Sequence, residues 1–124
     1  MSTQQQPLST SDVAQRLVEL CREGKILEAG EELHSDDVIS EEPNSTYWKL
    51  VEGKQAVKEK GHQFAAMIEE FHGGHISDPV VAGEYFSIAW NMDVTITGQG
   101  RRTIEEICTY RVKDGKIVWE QFLY

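Results

Sequence analysis

The chain has 124 residues, with 12 Lys and Arg against 21 Asp and Glu and a formal net charge of −9. That length holds one domain. The sign of the charge disfavours a binder of nucleic-acid phosphates or anionic lipid, and no apolar run approaches the ~20 residues needed to cross a bilayer. Forty per cent of the residues are apolar, enough for a packed core. The start, Met1-Ser2-Thr3-Gln4-Gln5-Gln6-Pro7, shows no secretory signal, so a cytoplasmic chain is expected, with residues 1–10 as a frayed leader and 11–124 as the domain. Cys21 and Cys108 have no metal spacing and read as reduced thiols.

Ser9 or Ser11 can cap a first helix whose apolar positions Val13, Leu17, Leu20 and Cys21 fall on one face, and Gly24 ends it. A second helix follows with Ile26, Leu27, Ala29 and Leu33 on its buried side. Residues 37–42 read as a short strand stopped by Pro43, and Asn44 to Gly53 as a loop with a hairpin around Tyr47 and Trp48. A third helix is expected from about Lys54 to Phe71, with Val57, Gly61, Phe64, Ile68 and Phe71 on one face and Lys58, Lys60, Glu69 and Glu70 mostly elsewhere. Gly73-Gly74 would terminate it.

Beyond that point the period becomes two. Val80 and Val81 close one strand before a turn at Ala82-Gly83. Phe86, Ile88, Trp90, Met92, Val94 and Ile96 then alternate with polar or small residues, the mark of a two-faced strand. Ile104 to Val112 and Ile117 to Tyr124 form two more strands around Lys113-Asp114-Gly115-Lys116, whose Asp-Gly is a strong hairpin signal. Helices gathered before an antiparallel meander indicate an α+β fold. An isolated meander would expose an apolar face, so the helices should cross its concave side and leave a cone-shaped cavity.

In this order and spacing the chain resembles the SnoaL-like branch of the nuclear transport factor 2-like (cystatin-like cone) superfamily. The resemblance rests on the strand Asp36-Asp37-Val38-Ile39-Ser40-Glu41-Glu42-Pro43 after two helices, on Gly53-Lys54 opening the long helix, and on the closing hairpin Val112-Lys113-Asp114-Gly115-Lys116-Ile117-Val118. It implies a cone of three N-terminal helices on a curved, mainly antiparallel sheet, and a homodimer formed through the sheet's outer face. Members include polyketide cyclases, steroid isomerases, dehydratases, epoxide hydrolases and noncatalytic transport factors. The steroid isomerases place a general-base carboxylate just before a proline at the end of the first strand, and Glu42 before Pro43 matches it. Their oxyanion-binding Tyr falls here near Leu17 or Val18, and their oxyanion-binding acid near Ile107 or Cys108. Neither pair can stabilise an enolate.

With this register, alternation turns Val38, Ser40 and Glu42 inward, along with Ile104, Glu106, Cys108, Tyr110 and Val112, and Val118, Glu120, Phe122 and Tyr124. Trp90, Met92 and Val94 would line the wall. Glu42, Glu106 and Glu120 would then share one partly apolar pocket, and crowding should raise at least one pKa. The plain alternative is a register in which these glutamates face water or only brace the sheet. Asp93, on the opposite face, should pair with Arg101, Arg102 or Arg111. His72 and His75 make a poor metal pair, His72 suiting a helix C-terminus instead; His34 reads as a packed wall residue and His62 as exposed. No Gly-x-Ser-x-Gly elbow exists, and Gly98-Gln99-Gly100 is too short to cradle phosphate.

Two functional readings follow. In the first, a cofactor-independent and metal-free enzyme carries out isomerisation, cyclisation or dehydration of a small apolar or carbonyl-bearing molecule. Glu42 is its base and Glu106 or Tyr110 the donor to the oxyanion, while Ser40, Phe64, Trp90, Met92, Glu120, Phe122 and Tyr124 contact the ligand. In the second, the same pocket belongs to a non-catalytic ligand-binding or protein-interaction module. Neither involves nucleic acid or a membrane.

Overall fold

The structure, a computed structural model, describes residues 6–124. The elements run α1 (Thr10–Arg22), α2 (Ile26–Leu33), β1 (His34–Glu41), β2 (Leu50–Glu52), α3 (Lys54–Met67), β3 (Ile68–Ile76), β4 (Val80–Ala82), β5 (Tyr85–Ile96), β6 (Gly100–Lys113) and β7 (Lys116–Leu123). Residues 1–5 of the expected leader lie outside the described residues. Pro7 and Leu8 lie against Gly115 of the β6–β7 turn. Ser9 caps α1 in a capping box: its hydroxyl accepts from the Asp12 amide at 3.1 Å, while the Asp12 carboxylate accepts from the Ser9 amide at 3.2 Å. Gly24 follows the helix with φ +79°, a conformation that other residues reach only with strain.

One mixed sheet carries the strands in the order β2-β1-β7-β6-β5-β3, with β4 also paired to β5. Among the described residues only β1 and β7 run parallel. At the β6–β7 turn Asp114 (φ 51°) and Gly115 (φ 77°) both adopt positive φ, the turn that matches the twist of a tight hairpin. The helices cover one face. Val13, Ala14, Val18 and Leu33 from α1 and α2 pack with Val38, Phe86, Ile88, Val94, Cys108 and Ile117 in a single core.

Three expectations are corrected. The helices are not all N-terminal, because β1 and β2 precede α3. Nor does α3 reach Phe71: it stops at Met67, and Ile68–Ile76 pairs antiparallel with β5 from Ile96 to Trp90. Phe71 is therefore an exposed strand residue, and Gly73-Gly74 lies inside a strand instead of ending a helix. A Cβ on Gly74 would sit 2.6 Å from the Asn91 carbonyl oxygen, so close approach to β5 explains that glycine. His72 likewise belongs to β3, where the register shifts around it and its Nε2 lies 2.7 Å from Thr95 Oγ1. The third correction concerns β7. Val112 pairs with Ile117 and Arg111 with Trp119, leaving Val118 as an extra residue in a bulge. Ile117, not Val118, is fully buried, and the inward set resumes at Glu120.

Candidate functional site

A cavity of about 180 Å³ lies between the helices and the sheet. Cavities of roughly 150 Å³ hold a benzene-sized guest. Strand pairing sets its wall in rows. Ser40 stands beside Glu120 and Glu120 beside Tyr110; Cys108 stands beside Phe122, and Trp90 beside Glu106. Leu17 and Cys21 of α1 close the back, and Val57, Lys60, Gly61 and Phe64 of α3 form a side. Trp48, edge-on to Phe64 at 6.4 Å between ring centroids, reaches in from the β1–β2 loop. The exposed lining residues Ile26, Glu31 and Lys58 belong to α2 and α3, which places the mouth between those helices.

Inside is a continuous polar chain. His34 Nε2 lies 2.6 Å from Glu120 Oε1, and the Ser40 hydroxyl donates to Glu120 Oε2 at 2.8 Å. The Lys60 ammonium donates to Ser40 Oγ at 2.6 Å and to Glu42 Oε2 at 2.7 Å. Tyr124 donates to Glu42 Oε1 at 2.9 Å. Lys60 also sits over the Phe122 ring, 4.9 Å from its centroid. Its side chain is only 8% exposed and that of Glu42 11%.

The three glutamates are not equivalent. Burial works against ionising Glu120, but His34, Lys60 and Ser40 outweigh it and hold the carboxyl below its usual range. Glu42 has both oxygens engaged by Lys60 and Tyr124. Glu106 lacks such partners; its side-chain contact is the Cys108 thiol, a weak donor at 3.5 Å. Burial, reinforced by the nearby charges of Glu42 and Glu120, pushes it up to about 7 against the opposing pull of Cys108 and Lys60. Burial also lifts Cys21 to about 12 and Cys108 higher still, so neither thiol is a nucleophile at neutral pH. Tyr110 is raised well above the usual phenol range by burial, and Tyr124 to about 12 by burial and its bond to Glu42.

Of the residues singled out in the sequence, Glu42, Glu106, Tyr110, Phe64, Trp90, Met92, Glu120 and Phe122 all line the cavity. Ser40 is fully buried behind the wall as a link between Lys60 and Glu120, and Tyr124 stands behind Glu42 at the rim, half exposed. Val94 is core, not lining. Asp93 pairs with Arg101 through two bonds of 2.8 and 3.0 Å on the outer face. Sequence reasoning missed Lys60, which it placed away from the apolar face. Val57, Lys60, Gly61 and Phe64 follow i, i+3, i+4, i+7, so the helical period itself puts Lys60 inward. His34 was expected in the wall, but not its bond to Glu120. Among the described residues no group of three or more His, Cys, Asp or Glu side chains is placed to hold a metal ion, and no helix is long and apolar enough to cross a membrane.

This architecture recurs in solved structures. A protein from Catenulispora acidiphila with a ketosteroid isomerase-like fold, in complex with trimethylamine, is 17% identical over 94% of this chain and 87% of its own, with a TM-score of 0.72. One of cystatin-like fold from Xanthomonas campestris is 20% identical over 93% and 89%, with a TM-score of 0.78. These share the fold. No curated protein matches this chain. A structure from Mesorhizobium loti, classed as a SnoaL-like polyketide cyclase, is 32% identical over 94% of this chain and the whole of its own, with a TM-score of 0.89. The model of the SnoaL-like domain matches residues 8–124, from the segment that leads into α1 to the final tyrosine. With a family match of that extent and a relative aligned along its full length, the chain belongs to the SnoaL-like family.

Proposed function

We propose that this protein is a cofactor-independent enzyme that moves a proton on a small, largely apolar, carbonyl-bearing molecule held in the cone between helices and sheet. The reaction class is isomerisation, cyclisation or dehydration. One observation carries the reading: Glu106 faces a ligand-sized cavity as a half-buried carboxyl poised near 7, while the other two glutamates are held by cations and hydroxyls. A group whose pKa lies near the working pH is the best compromise between being ionised and being basic. Glu106 therefore carries the proton. Lys60 and Tyr110 line the same cavity and supply positive charge and a hydroxyl toward a developing oxyanion. Glu42, first read as the base, fits better as the anchor that fixes Lys60, because both of its oxygens are already engaged. Ser40, Phe64, Trp90, Met92, Phe122 and Tyr124 shape or brace the pocket.

The proposal extends to a cytoplasmic homodimer. Ile107 and Leu123 are neighbours across β6 and β7 on the outer face of the sheet, 46% and 43% exposed, an apolar pair that a second copy would cover.

The test is a thermal-shift panel of small ketones and enones, followed by NMR of α-proton exchange in D2O for those that bind. Wild-type protein is expected to accelerate exchange, and Glu106→Gln to lower that rate by about 10²–10⁴-fold while binding persists. Ketones that bind without any accelerated exchange would instead establish the non-catalytic binding module.

A further inference from the structure

A proton shift can be divided between two groups, one taking the proton and one returning it, and the cavity that Glu106 lines also holds His34 and Glu120. Building on the proton-transfer reading above, we propose that His34 is a second acid–base residue of this cavity and that Glu120 is its positioning residue. The directions of the hydrogen bonds carry the assignment. An ammonium only donates, so Ser40 Oγ accepts from Lys60 at 2.6 Å. The single Ser40 proton is then directed to Glu120 Oε2 at 2.8 Å. Glu120, 4% exposed, accepts there and has its other oxygen 2.6 Å from His34 Nε2. A carboxylate has no proton to give, so across that contact Nε2 must carry the proton and donate it. Nδ1 is left as the ring nitrogen available for exchange.

The surroundings of Nδ1 suit that role. His34 follows α2 directly and lines the cavity, as does Gly30 one helical turn earlier. A Cβ on Gly30 would lie 3.2 Å from Nδ1, tighter than an ordinary contact, so a larger residue there would crowd the ring. Glycine inside a helix weakens it, and the space beside His34 is the local reason to keep one there.

The experiment is ¹⁵N NMR of the histidine rings in the full chain, read on the neutral form of His34. The proposal expects the Nε2–H tautomer in the wild type, with that preference lost or reversed in Glu120→Gln. An Nδ1–H tautomer in the wild type, or an unchanged population in Glu120→Gln, would overturn it. The wild-type measurement stands alone if the variant does not fold. In the ketone exchange assay, His34→Gln is expected to slow exchange at least tenfold with binding retained. If Glu106→Gln abolishes exchange and His34→Gln leaves it unchanged, the dyad only braces the wall, and the proton-transfer reading survives without it.

Discussion

Replacing Lys60 with methionine separates the structure from the helical pattern as first read. Methionine keeps the length and apolar stem, so the change isolates the ammonium. On an exposed helix face such a substitution stays within about 0.5 kcal/mol. Here the side chain is 8% exposed, with Glu42 and Ser40 within 2.7 Å and the Phe122 ring beneath it. Removing one member of a buried ion pair leaves the other charged and desolvated, at a cost of about 3–5 kcal/mol. Unfolding entropy of about 2.1 cal/mol/K per residue gives roughly 0.26 kcal/mol/K for 124 residues, so Tm should fall by about 10–20 °C. Urea unfolding at pH 7 provides the free energy directly. Glu42→Gln on the Lys60→Met background should recover a substantial share, because the stranded carboxylate is gone and Tyr124 can still donate to the amide oxygen. A coupling of about 1–3 kcal/mol in the double-mutant cycle is expected. A cost below about 1 kcal/mol for Lys60→Met, or additivity of the two changes within 0.5 kcal/mol, would refute the buried pair.

Glu106 has its carboxyl raised from 4.5 to about 7, so the folded chain binds a proton more tightly there than the unfolded chain does. Its contribution to stability is complete below pH 4.5 and is lost as the pH rises through 7, a swing of about 2–3 kcal/mol. Glu106→Gln should therefore be more stable than wild type at pH 8 by about that amount and close to it at pH 4.5, as read from urea midpoints at the two pH values. Glu120 acts in the opposite direction: its carboxyl is held low, so the stability it provides is lost only as the pH falls through that lowered value, and Glu120→Gln should flatten the acid limb of the same curve. Gly74→Ala should cost about 2 kcal/mol or more in thermal unfolding, since its Cβ would meet the Asn91 carbonyl oxygen at 2.6 Å and backbone has to move. Ile107→Glu should give a monomer by light scattering with little loss of Tm, because the residue is 46% exposed and its partner across the strands is the equally open Leu123.

The parts of this fold that announce themselves in the sequence are those whose signals are local. Alternation from Phe86 to Ile96 is enforced by one buried face, and each of its apolar residues is buried. Asp114-Gly115 and Ser9 with Asp12 work within four residues. The end of α3 is different. Ile68 and Phe71 continue the spacing of Val57, Gly61 and Phe64, so nothing local marks a stop. What converts 68–76 to strand is the open edge of β5, a partner some twenty residues further on. The Val118 bulge is equally invisible, because both strands of that hairpin alternate normally on their own and only their pairing shows the extra residue.

The same distinction governs the site. Glu42, Glu106 and Glu120 were placed inward by period two, one strand at a time. Which of them holds a proton depends on where the cations go, and those come from elsewhere: Lys60 from α3 and His34 from the junction of α2 and β1. Ser40 shows why the assignment is collective. Its single hydroxyl receives from Lys60 and passes its proton to Glu120, so one ammonium serves two carboxylates separated by 78 positions in the chain. With that cation committed to Glu42 and Ser40, and His34 committed to Glu120, no basic side chain remains bonded to Glu106. Its raised pKa comes first from burial, with no bonded cation to offset it and the charges of Glu42 and Glu120 adding to it, and altering Lys60 should move the titration of Glu106 without touching it.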